Sequence, residues 1–145
     1  MTFETARYYM SEAISEAKKA LLVDEVPVGC IFMRDNKIVS RSHNLTNKLN
    51  DPLAHAEIVG IRSADCTNCD VYLTCEPCLM CFGVLKRLNC KIYFGCFNPT
   101  FGCSLVETND NIFLDNKECV DLLRQFYKNE NYNAPIEKRK IKTKR

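Results

Sequence analysis

The chain has 145 residues, of which 46% are hydrophobic, and its formal net charge is only +2. This length and composition fit one domain with a continuous core. No apolar run approaches the roughly 18 residues of a membrane span, and the first residues lack the basic and apolar regions of a signal peptide. We therefore expect a soluble protein of the cytoplasm, the nucleus or both, with no membrane contact, whose ten cysteines are reduced thiols or metal ligands.

The first half of the chain predicts a helix, a hairpin and a second helix. Apolar residues recur at helical spacing in the first segment: Phe3, Ala6, Met10, Ala13, Ala17 and Ala20. Two β-prone segments, Val26–Met33 and Ile38–Ser42, flank a turn-forming tetrapeptide and predict a hairpin. Asp51 and Pro52 then predict a helix start, with Asp51 as the N-cap. His55 and Glu57 are expected in the first turns of that helix.

The second half predicts alternating strands and helices. Val71–Cys75 is typical of a buried strand, and Pro77 can open a helix that runs to about Leu88. Lys91–Phe94 and Ile112–Leu114 are expected as the last two strands. A final helix is predicted from Cys119, Leu122, Leu123, Phe126 and Tyr127. The order α-β-β-α-β-α-β-β-α indicates an α/β sheet between helical layers, with strands three and four parallel through a right-handed crossover.

Two short motifs carry the chemistry. His55-Ala56-Glu57 is followed by Pro77-Cys78-Leu79-Met80-Cys81, the H-x-E…P-C-x-x-C signature of zinc-dependent nucleobase deaminases. One imidazole and two thiolates suit Zn²⁺, and three protein ligands leave a fourth position for water. The helix starts favour the thiolates of Cys78 and Cys81. Glu57 can lie beside that water, accept its proton and redeliver it to the substrate.

The cysteines also allow a different zinc arrangement. Cys66 and Cys69 precede Cys78 and Cys81, and two such pairs could form a closed site with four sulfurs. The chain would then be a non-catalytic zinc module that binds RNA, although this leaves His55 and the helix starts unexplained. The other cysteines are interpreted as small core residues: Cys30, Cys75, Cys90, Cys96, Cys103 and Cys119.

With these motifs the chain resembles the tRNA adenosine deaminases, a branch of the cytidine deaminase superfamily. The resemblance rests on Asp24–Gly29, on Asn44 ahead of Asp51–Glu57, and on Glu76–Cys81. It implies a three-layer α/β/α fold with a five-stranded mixed sheet and hydrolysis of adenosine to inosine with a zinc cofactor. The stretch from Phe126 through Asn133-Ala134-Pro135 into the basic tail is most similar to the catalytic subunit of the eukaryotic heterodimeric enzymes, which act at the wobble position of tRNA.

The resemblance also implies roles for particular residues. Asn44 would hydrogen-bond the flipped adenine, Val28 would wall the pocket, and the backbone at Ala56 and Cys78 would hold the base or the developing oxyanion. Asn98 would face the neighbouring nucleotide. Aromatic contacts to the anticodon loop would come from Phe126 and Tyr127, although their helical spacing is equally compatible with core positions. The implied partner is a related subunit that lacks the catalytic glutamate, with a homodimer possible for the isolated chain.

The C-terminal residues 138–145 form a basic tail outside the expected deaminase domain, residues 1–137. Six of these eight residues are basic: Lys138, Arg139, Lys140, Lys142, Lys144 and Arg145. Such a segment is expected to contact a nucleic-acid backbone, or else to solubilise the chain or direct it to the nucleus. A zinc deaminase acting on free cytidine, deoxycytidylate or guanine is the main alternative function, and it would need no such tail.

The chain departs from the family in a short connection between the two zinc motifs, which carries Cys66 and Cys69, and in the reduced glycine-rich loop Phe101–Ser104.

Overall fold

The computed structural model describes residues 2–128 and 135–138. The helices are α1 (Phe3–Leu22), α2 (Ala56–Ser63), α3 (Leu79–Arg87) and α4 (Lys117–Lys128). The strands are β1 (Gly29–Arg34), β2 (Lys37–His43), β3 (Asp70–Leu73), β4 (Lys91–Phe94) and β5 (Ile112–Phe113). Short 3-10 turns follow at Cys103–Leu105 and Ile136–Lys138. The predicted order of helices and strands is confirmed, and no helix among these residues is both long and apolar enough to cross a membrane.

The five strands form one mixed sheet in the order β2-β1-β3-β4-β5. β1 is antiparallel to both β2 and β3, whereas β3, β4 and β5 run parallel to one another. The predicted hairpin and the predicted parallel pairing of strands three and four are therefore confirmed. Because β3 and β4 point the same way, the segments that follow their carboxyl ends meet at one edge of the sheet.

Helices cover both faces of the sheet, which confirms the predicted three-layer α/β/α fold. On one face, α1 and α4 pack on side chains such as Ile31 and Tyr72. On the other, α2 and α3 pack on Phe32, Leu73 and their neighbours. The approach of α1 to β1 requires glycine, because a Cβ at Gly29 would lie 1.9 Å from the carbonyl oxygen of Ala13.

The start of α2 differs from the prediction. Asp51 does not cap the helix; its Oδ1 accepts a hydrogen bond from the Leu53 amide at 2.9 Å in a turn that precedes α2. The N-cap is His55, whose backbone is extended. The reason is a tertiary contact: the carbonyl of the fully buried Ala54 accepts a hydrogen bond from the Leu45 amide at 3.0 Å, which keeps residues 51–55 out of the helix.

α3 also begins later than predicted, and the bounds of β1 and β3 differ from those predicted. Pro77 lies outside the helix because its carbonyl accepts a hydrogen bond from the Cys103 amide at 3.1 Å, and Cys78 is the N-cap. The predicted strands Val26–Met33 and Val71–Cys75 are observed as Gly29–Arg34 and Asp70–Leu73. The residues released from the two strands, at 26–28 and 74–75, become part of the loops at the sheet edge.

Candidate active site

A cleft of about 570 Å³ opens at the carboxyl ends of β3 and β4, a size typical of small-molecule sites. Four of the residues predicted to contact the target nucleotide or its neighbour line this cleft: Val28, Asn44, Ala56 and Asn98. His55, Glu57 and Cys78 line it as well, while Cys81 is fully buried in the first turn of α3. The chain thus brings together residues from the segment before β1, from the loop after β2, from the α2 and α3 starts, and from the loop after β4.

His55, Cys78 and Cys81 form a cluster with the geometry of a metal site. Their ligand atoms all lie within 4.8 Å of one another, and within residues 2–128 and 135–138 they are the only such group of three or more. The Nδ1 of His55 is 3.6 Å from the Cys78 sulfur and 3.5 Å from the Cys81 sulfur. A tetrahedral zinc ion, with bonds of about 2.3 Å to sulfur and about 2.0 Å to nitrogen, holds such ligands roughly 3.5 Å apart. The donor set and its spacing therefore fit zinc.

The two sulfurs have opposite protonation tendencies. The pKa of Cys78 is lowered to about 4, first by the hydrogen bond from Cys81 and then by the hydrogen bond and charge of His55. The same contact between the sulfurs raises the pKa of Cys81. The N-cap position of Cys78 also exposes its sulfur to the positive end of α3, which favours a thiolate. Cys78 is thus ready to bind a cation.

Glu57 is the buried carboxylate of the cleft. It lies in the first turn of α2, two residues after His55, and only 4% of it is exposed. Burial raises its pKa, and its carboxylate interacts with the Cys81 thiol. A carboxyl group with a raised pKa next to a metal cluster is suited to accept and return protons.

Asn44 and its neighbours form one wall of the cleft. The amide nitrogen of Asn44 donates hydrogen bonds to Glu25 Oε2 and to Thr46 Oγ1, both at 3.0 Å. The backbone amide of Asn44 donates to the Val28 carbonyl at 3.2 Å, which ties the end of β2 to the segment before β1. Asn44 and Val28 are therefore held in fixed relative positions.

Glu76 holds the opposite wall, a role that the sequence did not predict. This buried carboxylate accepts hydrogen bonds from the Asn98 amide at 3.2 Å and from the Ser104 amide at 3.1 Å. Gly102 packs so closely that an added Cβ would lie 2.1 Å from Glu76 Oε1. The reduced glycine-rich loop is thus anchored to the second zinc motif. Phe101 in this loop also lines the cleft.

The residues predicted to contact RNA do not all lie at the cleft. Tyr127 lines the cleft and is 63% exposed, whereas Phe126 is half-buried on α4 and packs edge-on against the Tyr127 ring, with centroids 5.2 Å apart. Lys138 is exposed at the end of the last 3-10 turn. The remaining predicted contacts lie outside the described residues: Arg139, Lys140, Lys142, Lys144 and Arg145.

The hypothesis of a site with four cysteines is wrong. Cys66 and Cys69 are buried in the core beneath α2 and α3, and they do not belong to the metal-ligand group of the described residues. The Cys66 thiol instead points to the Gly60 carbonyl at 3.7 Å. The other non-ligand cysteines are core residues, as predicted, except that Cys90 is only half-buried. Cys75 is buried in the core and also lines the cleft.

This combination of an α/β/α fold, an open three-ligand cluster and a buried glutamate defines a zinc-dependent deaminase. Residues 3–96 match the family model described as the cytidine and deoxycytidylate deaminase zinc-binding region. The chain is 35% identical to "tRNA-specific adenosine deaminase 2" of Xenopus tropicalis over 163 residues, which cover 93% of this chain and 96% of the relative. It therefore belongs to the tRNA-specific adenosine deaminases of the cytidine and deoxycytidylate deaminase family.

Two further relatives support the same family. "tRNA-specific adenosine deaminase subunit tad2" of Schizosaccharomyces pombe is 35% identical over 148 residues, which cover 88% of this chain but only 38% of that protein. A solved structure described as "Biochemical and Structural Studies of A-to-I Editing by tRNA:A34 Deaminases at the Wobble Position of Transfer RNA" superposes with a TM-score of 0.72 at 29% identity. The superposition covers 81% of this chain and 99% of that one.

Proposed function

We propose that this chain converts adenosine to inosine at the wobble position of tRNA anticodons, with release of ammonia. The observation that carries the proposal is the buried Glu57 beside the His55, Cys78 and Cys81 cluster, at the bottom of a cleft that can hold a nucleoside. The names of the relatives supply the substrate class, since each is a deaminase of adenosine in tRNA.

In this proposal His55, Cys78 and Cys81 hold one zinc ion. The ion supplies Lewis acidity that lowers the pKa of a water toward about 7. Glu57 accepts a proton from the water that attacks C6 of adenine and delivers it to ring N1. Glu57 then passes the second proton of that water to the departing amine, so that adenosine and water give inosine and ammonia. Backbone groups at Ala56 and Cys78 orient the base, and Val28 packs against it.

A flipped anticodon base is the substrate that best suits the cleft. Asn98, half-buried at the rim, has its Oδ1 engaged by the amides of Thr100 and Phe101 at 3.3 and 3.0 Å, so its amide nitrogen is the group left to donate to a neighbouring nucleotide. Tyr127 offers an exposed aromatic face, and Phe126 supports it. Such stacking and edge contacts are how proteins recognise unpaired RNA bases.

The basic tail supplies the phosphate contacts in this proposal, with Lys138, Arg139, Lys140, Lys142, Lys144 and Arg145 as its cations. We expect deletion of residues 138–145 to raise the Kd for tRNA several-fold at physiological salt and to reduce the steepness of its salt dependence, because fewer counterions are released on binding. Zinc content should not change. A tail of the same length with serine in place of the basic residues is the matched control for chain length. Unaltered tRNA affinity in both variants would contradict the role of the tail.

A related deaminase-like subunit without the catalytic glutamate is proposed as the partner. When that subunit is absent, two copies of this chain are proposed to form a homodimer. The fission yeast relative is named a subunit, and exposed apolar side chains lie near the cleft in this chain. Three of them line the cleft: Leu79 and Met80 at the start of α3, and Phe101 in the loop after β4. Two more, Leu105 and Val106, are exposed further along the same loop. Apolar side chains gathered in this way are typical of protein interfaces. The cytoplasm, the nucleus or both are the proposed compartments, as tRNA is present in each.

The deciding experiment incubates the chain, alone and with a candidate partner, with tRNA that carries adenosine at the wobble position, and measures inosine by nuclease digestion and mass spectrometry. Free adenosine, cytidine, deoxycytidylate and guanine are tested in parallel. We expect inosine in tRNA and no product from the free compounds. Turnover of a free compound without inosine in tRNA would replace this proposal by the alternative of a small-molecule deaminase.

A further inference from the structure

Two buried serines of β2 attach the short helix α2 to the sheet. Ser42 Oγ donates a hydrogen bond to the Ala56 carbonyl at 2.6 Å, and Ser40 Oγ donates to the Gly60 carbonyl at 3.0 Å. Alternate residues of a strand point to the same face and lie about 6.6 Å apart, close to the roughly 6 Å that four helical residues span. The two hydroxyls therefore match two carbonyls that are one helical turn apart.

The position of α2 depends on such contacts because the helix is short. It has only eight residues, Ala56–Ser63, and isolated helices of fewer than about 12 residues are marginal in water. Its contact with the sheet is also tight. A Cβ at Gly60 would lie 2.6 Å from the Phe32 ring and 2.8 Å from Ser42 Oγ. Ser42 therefore lies at the point where α2 and the sheet approach each other most closely.

The two serines hold different parts of α2, and only Ser42 acts at its first residue. Among the described side chains, Ser42 alone donates to the Ala56 carbonyl. The Gly60 carbonyl lies one turn later and also accepts a hydrogen bond from Ser63 Oγ at 2.8 Å. Loss of the Ser40 hydroxyl therefore leaves Gly60 with a second hydroxyl donor. Loss of the Ser42 hydroxyl releases the start of the helix.

The Ala56 carbonyl belongs to the same peptide unit as the Glu57 amide. A peptide unit is planar, so a hydrogen bond that fixes its carbonyl also fixes the direction of its N–H. In the first turn of a helix, where Glu57 lies, this N–H has no partner within the helix. The Glu57 amide instead donates to the carboxylate of its own side chain. The hydrogen bond from Ser42 thus acts through one rigid unit on the carboxylate of Glu57.

We propose that Ser42 is a positioning residue, which holds the peptide unit between Ala56 and Glu57 and thereby directs the Glu57 carboxylate at the attacking water. The inference rests on the proposed function, because it takes Glu57 as the group that transfers the protons. Ser42 lies outside the cleft lining, so its removal should slow the chemical step without weakening substrate binding. A displacement of about 1 Å near a reacting group can lower a rate by about 100-fold.

The test measures kcat and KM separately on tRNA with a wobble adenosine. The full chain is purified in zinc-loaded form from its own cells, with the subunits that accompany it. The variant is Ser42→Ala. The matched control is Ser40→Ala, which deletes another buried hydroxyl of β2 that donates to a carbonyl of α2. Both substitutions are also combined with Glu57→Gln and assayed in single turnover. Zinc content and Tm are measured for every protein.

We expect Ser42→Ala to lower kcat about 10-fold and to leave KM within about 2-fold, whereas Ser40→Ala keeps both within about 2-fold. Each variant should keep its zinc and lose a few degrees of Tm, because each loses one buried hydrogen bond. Combined with Glu57→Gln, Ser42→Ala should change the rate by less than about 2-fold, because the carboxylate that it positions is already gone. A merely structural role of Ser42 would lower the rate equally with and without Glu57→Gln.

An unchanged kcat in zinc-loaded Ser42→Ala would overturn the positioning role, and so would an equal loss of kcat in Ser40→Ala or a full loss on top of Glu57→Gln. If Ser42→Ala loses zinc or fails to fold, Ser42→Cys and Ser40→Cys replace the alanine pair, since a thiol keeps the side-chain shape but is a weak donor. The kcat should again fall only in the Ser42 variant. Failure of the unsubstituted chain to form inosine would instead refute the proposed function.

Discussion

Replacement of Glu57 by glutamine isolates proton transfer from the shape of the site. The two side chains have the same size, so Glu57→Gln should keep the cleft, the zinc content and the Tm. Because only 4% of Glu57 is exposed, bulk water cannot take over its role. One general acid–base group contributes about 10²–10⁴ in rate. Since Glu57 serves in two proton transfers, we expect kcat to fall by at least about 10³, or roughly 4 kcal/mol of barrier.

The assay is single-turnover formation of inosine from tRNA with a wobble adenosine, with zinc counted per chain in the same samples. Glu107→Gln is the control, because Glu107 is an exposed carboxylate that pairs with Lys86 at 3.1 Å, outside the cleft lining. It should retain full activity. The assignment of Glu57 fails if Glu57→Gln keeps its zinc and reacts within 10-fold of the unsubstituted chain.

Three further predictions concern the scaffold and the metal. Gly102→Ala should destabilise the fold by about 1–3 kcal/mol in urea denaturation, because the added methyl would meet Glu76 Oε1 at 2.1 Å. Gly83→Ala is the control: a Cβ at this position meets nothing within 4 Å, so the same assay should show a neutral or stabilising effect. A double Cys66→Ala and Cys69→Ala variant should keep one zinc per chain by elemental analysis, whatever its stability, and a loss of zinc would restore these cysteines as ligands. Removal of zinc with a chelator should lower the Tm by several degrees in scanning calorimetry, because zinc binds the folded state, and an unchanged Tm would contradict a folded metal site.

The metal site could be predicted from the sequence because its motif is local. Cys78 and Cys81 are separated by one helical turn, and His55 and Glu57 by two residues, so short-range geometry already fixes most of the arrangement. Helix starts were less predictable. Asp is a residue type that favours the N-cap position, yet Asp51 lies in a turn before α2. Its carboxylate pairs there with Arg62 at 2.7 Å. Tertiary contacts, and not the local sequence, therefore determine that α2 begins after His55.

The buried carboxylates that shape the cleft could not be predicted. Glu25 reaches Lys48, which is 23 residues further along the chain, and Glu76 reaches Ser104, which is 28 residues further. Contacts between residues so far apart in the chain leave no helical or strand periodicity in the sequence from which they could be predicted. The only sequence signal was an acidic residue next to a strand that is otherwise apolar, at Glu25 before Val26–Met33 and at Glu76 after Val71–Cys75. A buried charge needs partners, so a carboxylate at such a position is expected to accept hydrogen bonds from distant backbone amides.

Zinc X-ray absorption spectroscopy on the purified chain tests the central claim most directly, because it counts the sulfurs around the metal. The account predicts two sulfurs at about 2.3 Å and two lighter ligands at about 2.0–2.1 Å, one of them an imidazole. In Cys81→Ser the sulfur count should fall to one or the zinc should be lost. Four sulfurs around the ion, or a spectrum without imidazole scattering, would contradict the open site formed by His55, Cys78 and Cys81.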